Sequence, residues 1–420
     1  MYRVDRAFAE AKDRDDPLAP FRARFVYPEN EAGEAVIYFC GNSLGLQPKE
    51  ARDAVLEEIE AWGRLGVRGH HAARHPWLSY HERFTRLLCG IVGSRPEEVV
   101  LMNTLTVNLH LLMVSFYRPT PQRYKIAIEA SAFPSDIYAV ASQLRFHGFD
   151  PEEGIVEIAP APGEAIVSEE GIEECLKRRG KEIALLLLGG VNYYTGQYFD
   201  LARITKAAHA QGCLVGFDLA HAAGNVPLAL HDWGVDFAAW CSYKYLNGGP
   251  GCVAGAFVHE RHLGARNIPR FEGWWGHNKV TRFQMPAHFD PIPTVEAWQL
   301  SNPPILSLAP LYPALSIFEE AGMTLLRKKS VELTGYLEFL IQQLDSEGFS
   351  IITPSDPERR GAQLSIRTHR NGRECFERLS AAGVVCDWRE PDVIRVAPVP
   401  LYNTFTEVHM FVERLRECAR

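Results

Sequence analysis

Short, uninterrupted apolar runs alternate with amphipathic stretches along the middle of the chain. The apolar runs cover residues 99–102, 124–128, 183–188, 213–217, 237–241 and 253–258. Continuous runs of this kind are typical of strands that are buried on both faces of a parallel sheet. Residues 105–117 and 201–211 are helical patterns, and Gly212 follows the second one as a glycine that ends a helix would. The alternation predicts βαβ units and therefore an α/β fold with a mostly parallel sheet flanked by helices.

The pattern of hydrophobic and polar residues changes near residue 315. Residues 325–344 form one long helical pattern, which is followed by short apolar runs at 349–353, 363–367 and 393–396 and by a closing helical stretch. This mixture predicts a smaller α+β domain, and a chain of 420 residues is long enough for about two or three domains. We expect a large α/β domain at 66–315, a small α+β domain at 316–420, and an N-terminal segment at 1–65 that packs with the small domain.

Composition and charge narrow the class of protein. Of the residues, 46% are hydrophobic and 23% are charged, as in ordinary soluble globular proteins. The net charge of -8 and the lack of a basic run give no electrostatic reason to expect nucleic acid as a partner. No apolar stretch approaches the ~18 residues of a membrane span, and the charged start of the chain predicts no secretory signal.

Cysteine and histidine usage argues against disulfide and metal chemistry. The nine cysteines include no C-x-x-C pair, so we expect neither a disulfide framework nor a zinc site, and a reducing, cytoplasmic location follows. Histidines are concentrated at His70, His71, His75 and His81, but the carboxylates or cysteines of known metal sites do not accompany them. The sequence therefore predicts no metal centre.

A lysine and an aspartate follow two of the predicted strands. Lys244 comes after the run at 237–241 and precedes a glycine-rich turn, and Asp218 ends the run at 213–217. An amine and a carboxylate on neighbouring strands are the two attachments that pyridoxal phosphate needs, because the amine binds the cofactor covalently and the carboxylate keeps the ring nitrogen protonated. Two ordinary alternatives remain: Lys244 as a solvated loop charge, and Asp218 as the N-cap of a following helix.

Other candidate ligands also follow predicted strands. Thr104 and Thr106 lie at the start of a helical run, where N–H groups and hydroxyls can hold a phosphate, although threonine is also an ordinary N-cap. Phe133 could cover a cofactor ring or be a core residue. His221 could stack on that ring, bond to Asp218, or simply be packed.

Arg395 is a charge inside the apolar run at 393–396. Burying a guanidinium group is costly unless an anion meets it. A substrate carboxylate would be such an anion. The alternative is an arginine on an edge strand that points to water.

Together, several short strings resemble those of the kynureninases, fold type I pyridoxal phosphate enzymes of the aminotransferase superfamily. The strings are GNSLGLQPK at 41–49, LTVNLH at 105–110, FPSD at 133–136, YTGQ at 194–197, GFDLAH at 216–221, WCSYKYLN at 240–247, GW at 273–274 with GH at 276–277, and SNPP at 301–304. The resemblance covers nearly the whole chain. It implies hydrolysis of L-kynurenine to anthranilate and L-alanine, or of 3-hydroxy-L-kynurenine to 3-hydroxyanthranilate and L-alanine.

The resemblance also implies roles for individual residues. Lys244 and Asp218 resemble the cofactor lysine and the partner of the ring nitrogen, and Arg395 resembles the residue that binds the substrate's α-carboxylate. Further cofactor contacts are implied for Leu105, Thr106, Phe133, Ser135, Asp136, His221 and Tyr243. In the family, Trp274 and Asn302 reach the neighbouring subunit's cofactor, which implies a homodimer with a shared active site. We also expect Tyr243 to be an acid/base in later proton steps.

Substrate preference can be predicted from three polar residues. His70, Ser301 and Asn302 stand where family members that prefer 3-hydroxykynurenine carry histidine, serine and asparagine. Polar groups that bond to a ring hydroxyl discriminate against the analogue that lacks it. We therefore predict a preference for 3-hydroxykynurenine, which would place the enzyme in tryptophan degradation on the route to quinolinate and NAD. One departure from the family is Gly189, where some relatives carry serine.

Two other functions remain as alternatives. A cysteine desulfurase or selenocysteine lyase shares the fold, but usually carries histidine where this chain has Tyr243. Such enzymes also need a mobile cysteine, whereas Cys375 and Cys386 lie in stretches predicted to be regular structure. A cofactor-free binding protein on the same fold is the other alternative, and it would show no visible absorbance.

Overall fold

A computed structural model describes residues 2–265, 267–344 and 348–418. Its strands are β1 (Phe25–Val26), β2 (Ile37–Tyr38), β3 (Gln47–Pro48), β4 (Val99–Leu101), β5 (Lys125–Glu129), β6 (Ile155–Ile158), β7 (Ile183–Gly189), β8 (Leu214–Asp218), β9 (Phe237–Trp240), β10 (Gly255–Val258), β11 (Phe349–Ile351), β12 (Leu364–Thr368), β13 (Val384–Val385), β14 (Asp387–Arg389) and β15 (Val393–Val396).

The helices alternate with the strands through the middle of the chain. They are α1 (Arg6–Arg14), α2 (Ala51–Leu65), α3 (Gly69–Ala72), α4 (Thr85–Val92), α5 (Leu105–Phe116), α6 (Pro134–Phe146), α7 (Pro151–Gly154), α8 (Glu169–Arg179), α9 (Leu201–Ala210), α10 (Ile305–Leu308), α11 (Leu311–Ala321), α12 (Met323–Ile341), α13 (Gly372–Ala381) and α14 (Phe405–Cys418).

Seven strands form the central sheet in the order β4-β10-β9-β8-β7-β5-β6. Neighbours from β9 to β6 pair in parallel, whereas β10 is antiparallel to both β9 and β4. Each of the six apolar runs of the sequence contributes a strand to this sheet. The predicted mostly parallel α/β fold is therefore confirmed.

Helices cover both faces of the sheet. Along β7, Leu185 and Leu187 pack in one apolar cluster with residues of α5 and α6. The intervening Leu186 and Leu188 pack in another cluster with residues of α8, α9 and α11. Because successive strand residues point to opposite faces, a strand covered on both sides must be apolar at every position. Each fully buried leucine contributes about 1.5–3 kcal/mol of transfer free energy.

A second, antiparallel sheet follows in the C-terminal part, with the order β11-β12-β15-β14. Helices α12, α13 and α14 pack against it in a third apolar cluster, which also contains Ala9, Ile37 and Phe39 from the start of the chain. The N-terminal strand β2 pairs in parallel with β13. Residues from both ends of the chain therefore share one core. Within the described ranges, no helix is both long and apolar enough to cross a membrane.

The strands that carry Asp218 and Lys244 are held side by side. In the β8–β9 pair, Asp218 is opposite Ala239, and Lys244 follows four residues after the end of β9. Because the carboxyl ends of parallel strands lie at one edge of a sheet, this register brings Asp218 and Lys244 to the same edge. At the opposite ends of β8 and β9, a carboxylate oxygen of the buried Asp236 accepts a hydrogen bond from the Val215 N–H at 2.8 Å.

Candidate active site

A cavity of about 410 Å³ opens at the carboxyl ends of the central strands. It is lined by Asn42, Ser43, Thr104, Leu105, Thr106, Glu129, Phe133, Ser135, Asp136, Gly189, Val191, Tyr193, Asp218, Ala220, His221, Tyr243, Lys244, Arg389 and Arg395. These lining residues come from both sheets and from the N-terminal segment. Ligands occupy this position in open α/β sheets.

Lys244 points into the cavity rather than to solvent. Its Nζ lies 3.0 Å from Nε2 of His221 and 5.9 Å from the centre of the Phe133 ring. Burial, followed by the charge on Lys244, lowers the pKa of His221 well below its usual value. A neutral ring can accept a hydrogen bond from the lysine amine through Nε2. The alternative interpretation of Lys244 as a loop charge in water is therefore wrong.

Three acidic side chains lie close together beside Lys244. Asp218, Asp136 and Glu129 are all buried. Burial raises the pKa of each carboxyl group: that of Glu129 reaches about 7, and the neighbouring carboxyls raise the pKa of Asp136 well above its usual range. Oδ1 of Asp136 is buried without a hydrogen-bond partner among the described residues. A cationic ring nitrogen placed beside Asp218 would favour the ionised form of that carboxyl group.

Asp218 is not a helix cap. It is the last residue of β8, and a turn rather than a helix follows it. Its Oδ1 accepts a hydrogen bond from the Ala220 N–H at 2.7 Å. The helix-cap alternative for Asp218 is therefore wrong, and one carboxylate edge stays directed at the cavity.

The start of α5 forms a second polar part of the cavity lining, in addition to the three acids. Thr104 is the N-cap residue, but its side chain makes no capping hydrogen bond. The hydroxyls of Thr106 and Ser135 lie 2.8 Å apart. An uncapped helix start offers N–H groups and a partial positive charge to an anion. This part of the cavity suits a phosphate group.

Phe133 is at the cavity surface and not in a core. It is 42% exposed and directly precedes α6, and its ring meets that of Tyr193 edge to face at 5.2 Å between centroids. An exposed aromatic face in a polar cavity can stack on a planar ring. The core alternative for Phe133 is wrong.

Arg395 lies on β15, an interior strand, and is 1% exposed. The edge-strand alternative for Arg395 is therefore also wrong. Its Nε donates to Oδ1 of Asp387 at 2.6 Å, its Nη2 contacts Oδ2 of the same carboxylate, and its Nη1 donates to the Tyr193 carbonyl oxygen at 2.5 Å. A carboxylate of the protein therefore already neutralises part of this guanidinium charge.

Four of the predicted site residues do not line this cavity. Trp274 is 43% exposed, and its Nε1 donates to the Arg282 carbonyl oxygen at 3.3 Å. Ser301 and Asn302 are exposed, and the His70 ring contacts that of Trp77 at 5.5 Å. Within one chain, these side chains therefore lie apart from Lys244.

Sequence reasoning missed several cavity residues. Glu129 is the polar end of an apolar strand, a signal of the same kind as that used for Asp218. Tyr193 directly precedes the YTGQ string. Asp387 and Arg389 alternate along β14, opposite the strand of Arg395. The two-residue spacing of Asp387 and Arg389 indicates that both side chains lie on one face only once β14 is recognised as a strand.

The cavity residues fit pyridoxal phosphate. An amine, a buried acid, an aromatic face and a phosphate-binding helix start surround one space, and a buried acidic oxygen there has no partner in the described part of the chain. Lys244 would hold the cofactor covalently, Asp218 its ring nitrogen, and residues around Thr106 its phosphate. When bound, the cofactor would supply an electron sink for a carbanion.

Solved structures share this fold. The Escherichia coli cysteine desulfurase CsdA matches with a TM-score of 0.76 at 17% identity, over 96% of this chain and 98% of that chain. A C-DES variant with glycine covalently linked to its pyridoxal phosphate cofactor matches with a TM-score of 0.74 at 18% identity, over 91% of this chain and 96% of that chain. At these identities the likeness extends to the fold alone.

Relatives in sequence identify the protein family, which the solved structures do not. A family model of the kynureninase C-terminal domain matches residues 326–415. The kynureninase of Myxococcus xanthus is 57% identical over 420 residues, which are 100% of this chain and 99% of that protein. The kynureninase of Koribacter versatilis is 56% identical over 97% of this chain and 96% of that protein. Because relatives at this identity cover the full length, the chain belongs to the kynureninase family.

Proposed function

We propose that this chain, a pyridoxal-phosphate-dependent hydrolase, cleaves L-kynurenine to anthranilate and L-alanine, and 3-hydroxy-L-kynurenine to 3-hydroxyanthranilate and L-alanine. The observation that carries the proposal is the position of Lys244 beside His221 and the carboxyl group of Asp218, in a cavity that also contains Arg395. The full-length kynureninase relatives support the same reaction.

In this proposal the two ends of the cavity have different tasks. Asp218 would hold the cofactor ring in its cationic form, and Arg395 orients the substrate through its α-carboxylate. The amine of Lys244, once released by the incoming amino acid, can remove the proton from the substrate's Cα. Burial raises the pKa of Tyr243, so its phenol keeps a proton that it can donate to the leaving carbon.

A paired assay tests the reaction. Purified, cofactor-loaded enzyme is given L-kynurenine, 3-hydroxy-L-kynurenine or L-cysteine, and the fluorescent anthranilates and released sulfide are followed separately. We expect anthranilate products and no sulfide. Cys375 and Cys386 are both buried, which does not suit the mobile nucleophile of a desulfurase. Release of sulfide without anthranilate would instead support that alternative.

We infer a preference for 3-hydroxykynurenine from His70, Ser301 and Asn302. Nδ1 of His70 has no hydrogen-bond partner among the described residues, and in a homodimer it would bond to the ring hydroxyl of a substrate in the second subunit's cavity. The substitution His70→Trp removes this group. We expect it to lower kcat/KM for the 3-hydroxy substrate by about tenfold relative to kynurenine, since one lost hydrogen bond to a substrate is worth about 1–2 kcal/mol. An unchanged ratio of the two kcat/KM values would contradict the inference.

A homodimer would bring the four remote residues to the cavity of a second subunit. The chain exposes an apolar patch beside His70, here called the α2 patch. It consists of Leu56, Ile59, Trp62, Val67 and Leu306. Its Trp62 and Leu306 line a groove with Trp77, the residue that contacts His70. Exposed apolar patches of this kind mark interaction sites, and a second copy is the partner that would place Trp274 and Asn302 at a cofactor.

Complementation between inactive subunits tests this arrangement. Lys244→Ala and Trp274→Ala subunits are unfolded together and refolded as a mixture. If Trp274 acts across the dimer, each mixed dimer has one complete site, and about a quarter of the wild-type activity should return with random pairing in a two-fold dimer. If Trp274 acts within its own chain, the mixture will be no more active than the sum of its parts.

A further inference from the structure

The strand next to Arg395 carries two charged residues on one face. In the antiparallel pair of β14 and β15, Asp387 lies directly opposite Arg395. Arg389 is two residues further along β14, and alternate residues of a strand point to the same side. Asp387 and Arg389 therefore both face the end of the cavity where Arg395 lies.

Asp387 occupies only one edge of the Arg395 guanidinium group. It accepts from Nε and Nη2, while the Tyr193 carbonyl oxygen accepts from Nη1. A guanidinium group has five N–H donors. One N–H on each Nη atom is left for other acceptors. Asp387 thus fixes the orientation of Arg395 without using all its donors.

Arg389 provides a second guanidinium group at the end of the cavity where Arg395 lies. It lines the cavity, and its Nη2 donates to Oδ2 of Asp387 at 3.1 Å. Its Nε is buried and has no hydrogen-bond partner among the described residues. A buried donor without a partner is costly, and a ligand acceptor would remove that cost.

The charge at this end of the cavity is positive. One carboxylate, that of Asp387, is shared between Arg389 and Arg395. Among the acids that line the cavity, Asp136 and Asp218 interact with each other and with Lys244, and Glu129 accepts from the Gly189 N–H. Two guanidinium groups and one carboxylate leave one positive charge for a ligand anion.

We propose that Arg389 binds the α-carboxylate of the substrate together with Arg395. The proposal deepens the proposed function and rests on it, because it concerns how the same site recognises an α-amino acid. It predicts selection for amino acids with a free carboxylate over their amides.

The test measures ligand binding separately from turnover. Cofactor-loaded wild-type enzyme and the Arg389→Gln variant are titrated with L-alanine, the expected product, and with L-alaninamide, while the visible absorbance of the cofactor is followed. We expect Arg389→Gln to raise the Kd for L-alanine by about tenfold or more, the effect of a lost charge-assisted hydrogen bond. The Kd for L-alaninamide should stay the same.

Arg367→Gln is a matched control. Arg367 is also a strand arginine with a carboxylate partner, since its Nε lies 3.4 Å from Oδ2 of Asp392, but it does not line the cavity. Its substitution should leave both Kd values unchanged. Arg389→Lys, which keeps the charge and loses the fork, should fall between wild type and Arg389→Gln.

Each outcome of the titration is decisive. An unchanged Kd for L-alanine in Arg389→Gln would overturn the proposal, and so would an equal loss for L-alaninamide, which would show a general effect on the site. If the wild-type enzyme binds L-alanine but does not cleave kynurenine, the proposed reaction is wrong. The L-alanine titration of Arg389→Gln still tests the role of Arg389 in that case.

Discussion

Replacing Lys244 by alanine is expected to abolish turnover and to remove the visible absorbance of enzyme-bound cofactor. Lys244 is the amine in the cavity that lies beside His221 and near the Phe133 ring. In the proposed mechanism, the substitution removes both the covalent attachment and the base that takes the Cα proton. General base catalysis alone contributes about 100-fold to 10,000-fold, so we expect kcat to fall by at least about a thousandfold.

Lys206→Ala is a suitable control for this substitution, since Lys206 is an exposed lysine on α9. It should keep the activity and the absorbance of the wild type. After extensive dialysis, the Lys244→Ala protein should lose cofactor while the control retains it. Visible absorbance that survives dialysis in Lys244→Ala, and that borohydride abolishes while the cofactor stays covalently attached, would show that a different amine holds the cofactor.

Replacing Asp218 by asparagine is expected to lower kcat by about a hundredfold, because an amide cannot hold a proton on the ring nitrogen of the cofactor. Asp218 is buried at the end of β8 and shares its surroundings with Asp136 and Glu129. Burial raises the pKa of all three carboxyl groups, so neither neighbour offers a stronger anion than Asp218. Steady-state kinetics and the pH dependence of the visible spectrum measure the effect.

Glu129→Gln is the matched control for Asp218→Asn, since it makes the same chemical change in the same cavity. The pKa of Glu129 is raised to about 7 by burial, and so below pH 7 the carboxyl group is mostly protonated and uncharged. An amide of equal size should then leave kcat close to that of the wild type at pH 6. If both substitutions lower kcat equally at that pH, the special role of Asp218 would be refuted.

The central sheet could be predicted because its strands are apolar at every position. The runs at 213–217 and 237–241 become the neighbouring strands β8 and β9, which places Asp218 and Lys244 at one edge. The antiparallel direction of β10 was not predicted, because an apolar run shows burial and not direction. The domain limits at 65 and 315 stay predictions.

Arg395 was predicted as a candidate ligand of a carboxylate, but its neighbours Asp387 and Arg389 could not be predicted in the same way. Strand β14 carries Asp387, Trp388 and Arg389, so its polar residues conceal a strand from an analysis that looks for apolar runs. The pairing of Asp387 with Arg395 depends on tertiary structure. His70, Trp274 and Asn302 were named from the family resemblance alone, and the proposed homodimer would bring them to the cavity of a second subunit.

The contribution of distant chain segments to one cavity also bears on how the protein is made. Asn42 and Ser43 come from near the start of the chain, Lys244 from its middle, and Arg395 from near its end. During synthesis, the strands that carry Asp218 and Lys244 leave the ribosome well before β15 does. A nascent chain can thus build the part of the site around Asp218 and Lys244 first, and Arg395, the residue proposed to bind the amino acid, is added only when the last strand of the second sheet is in place.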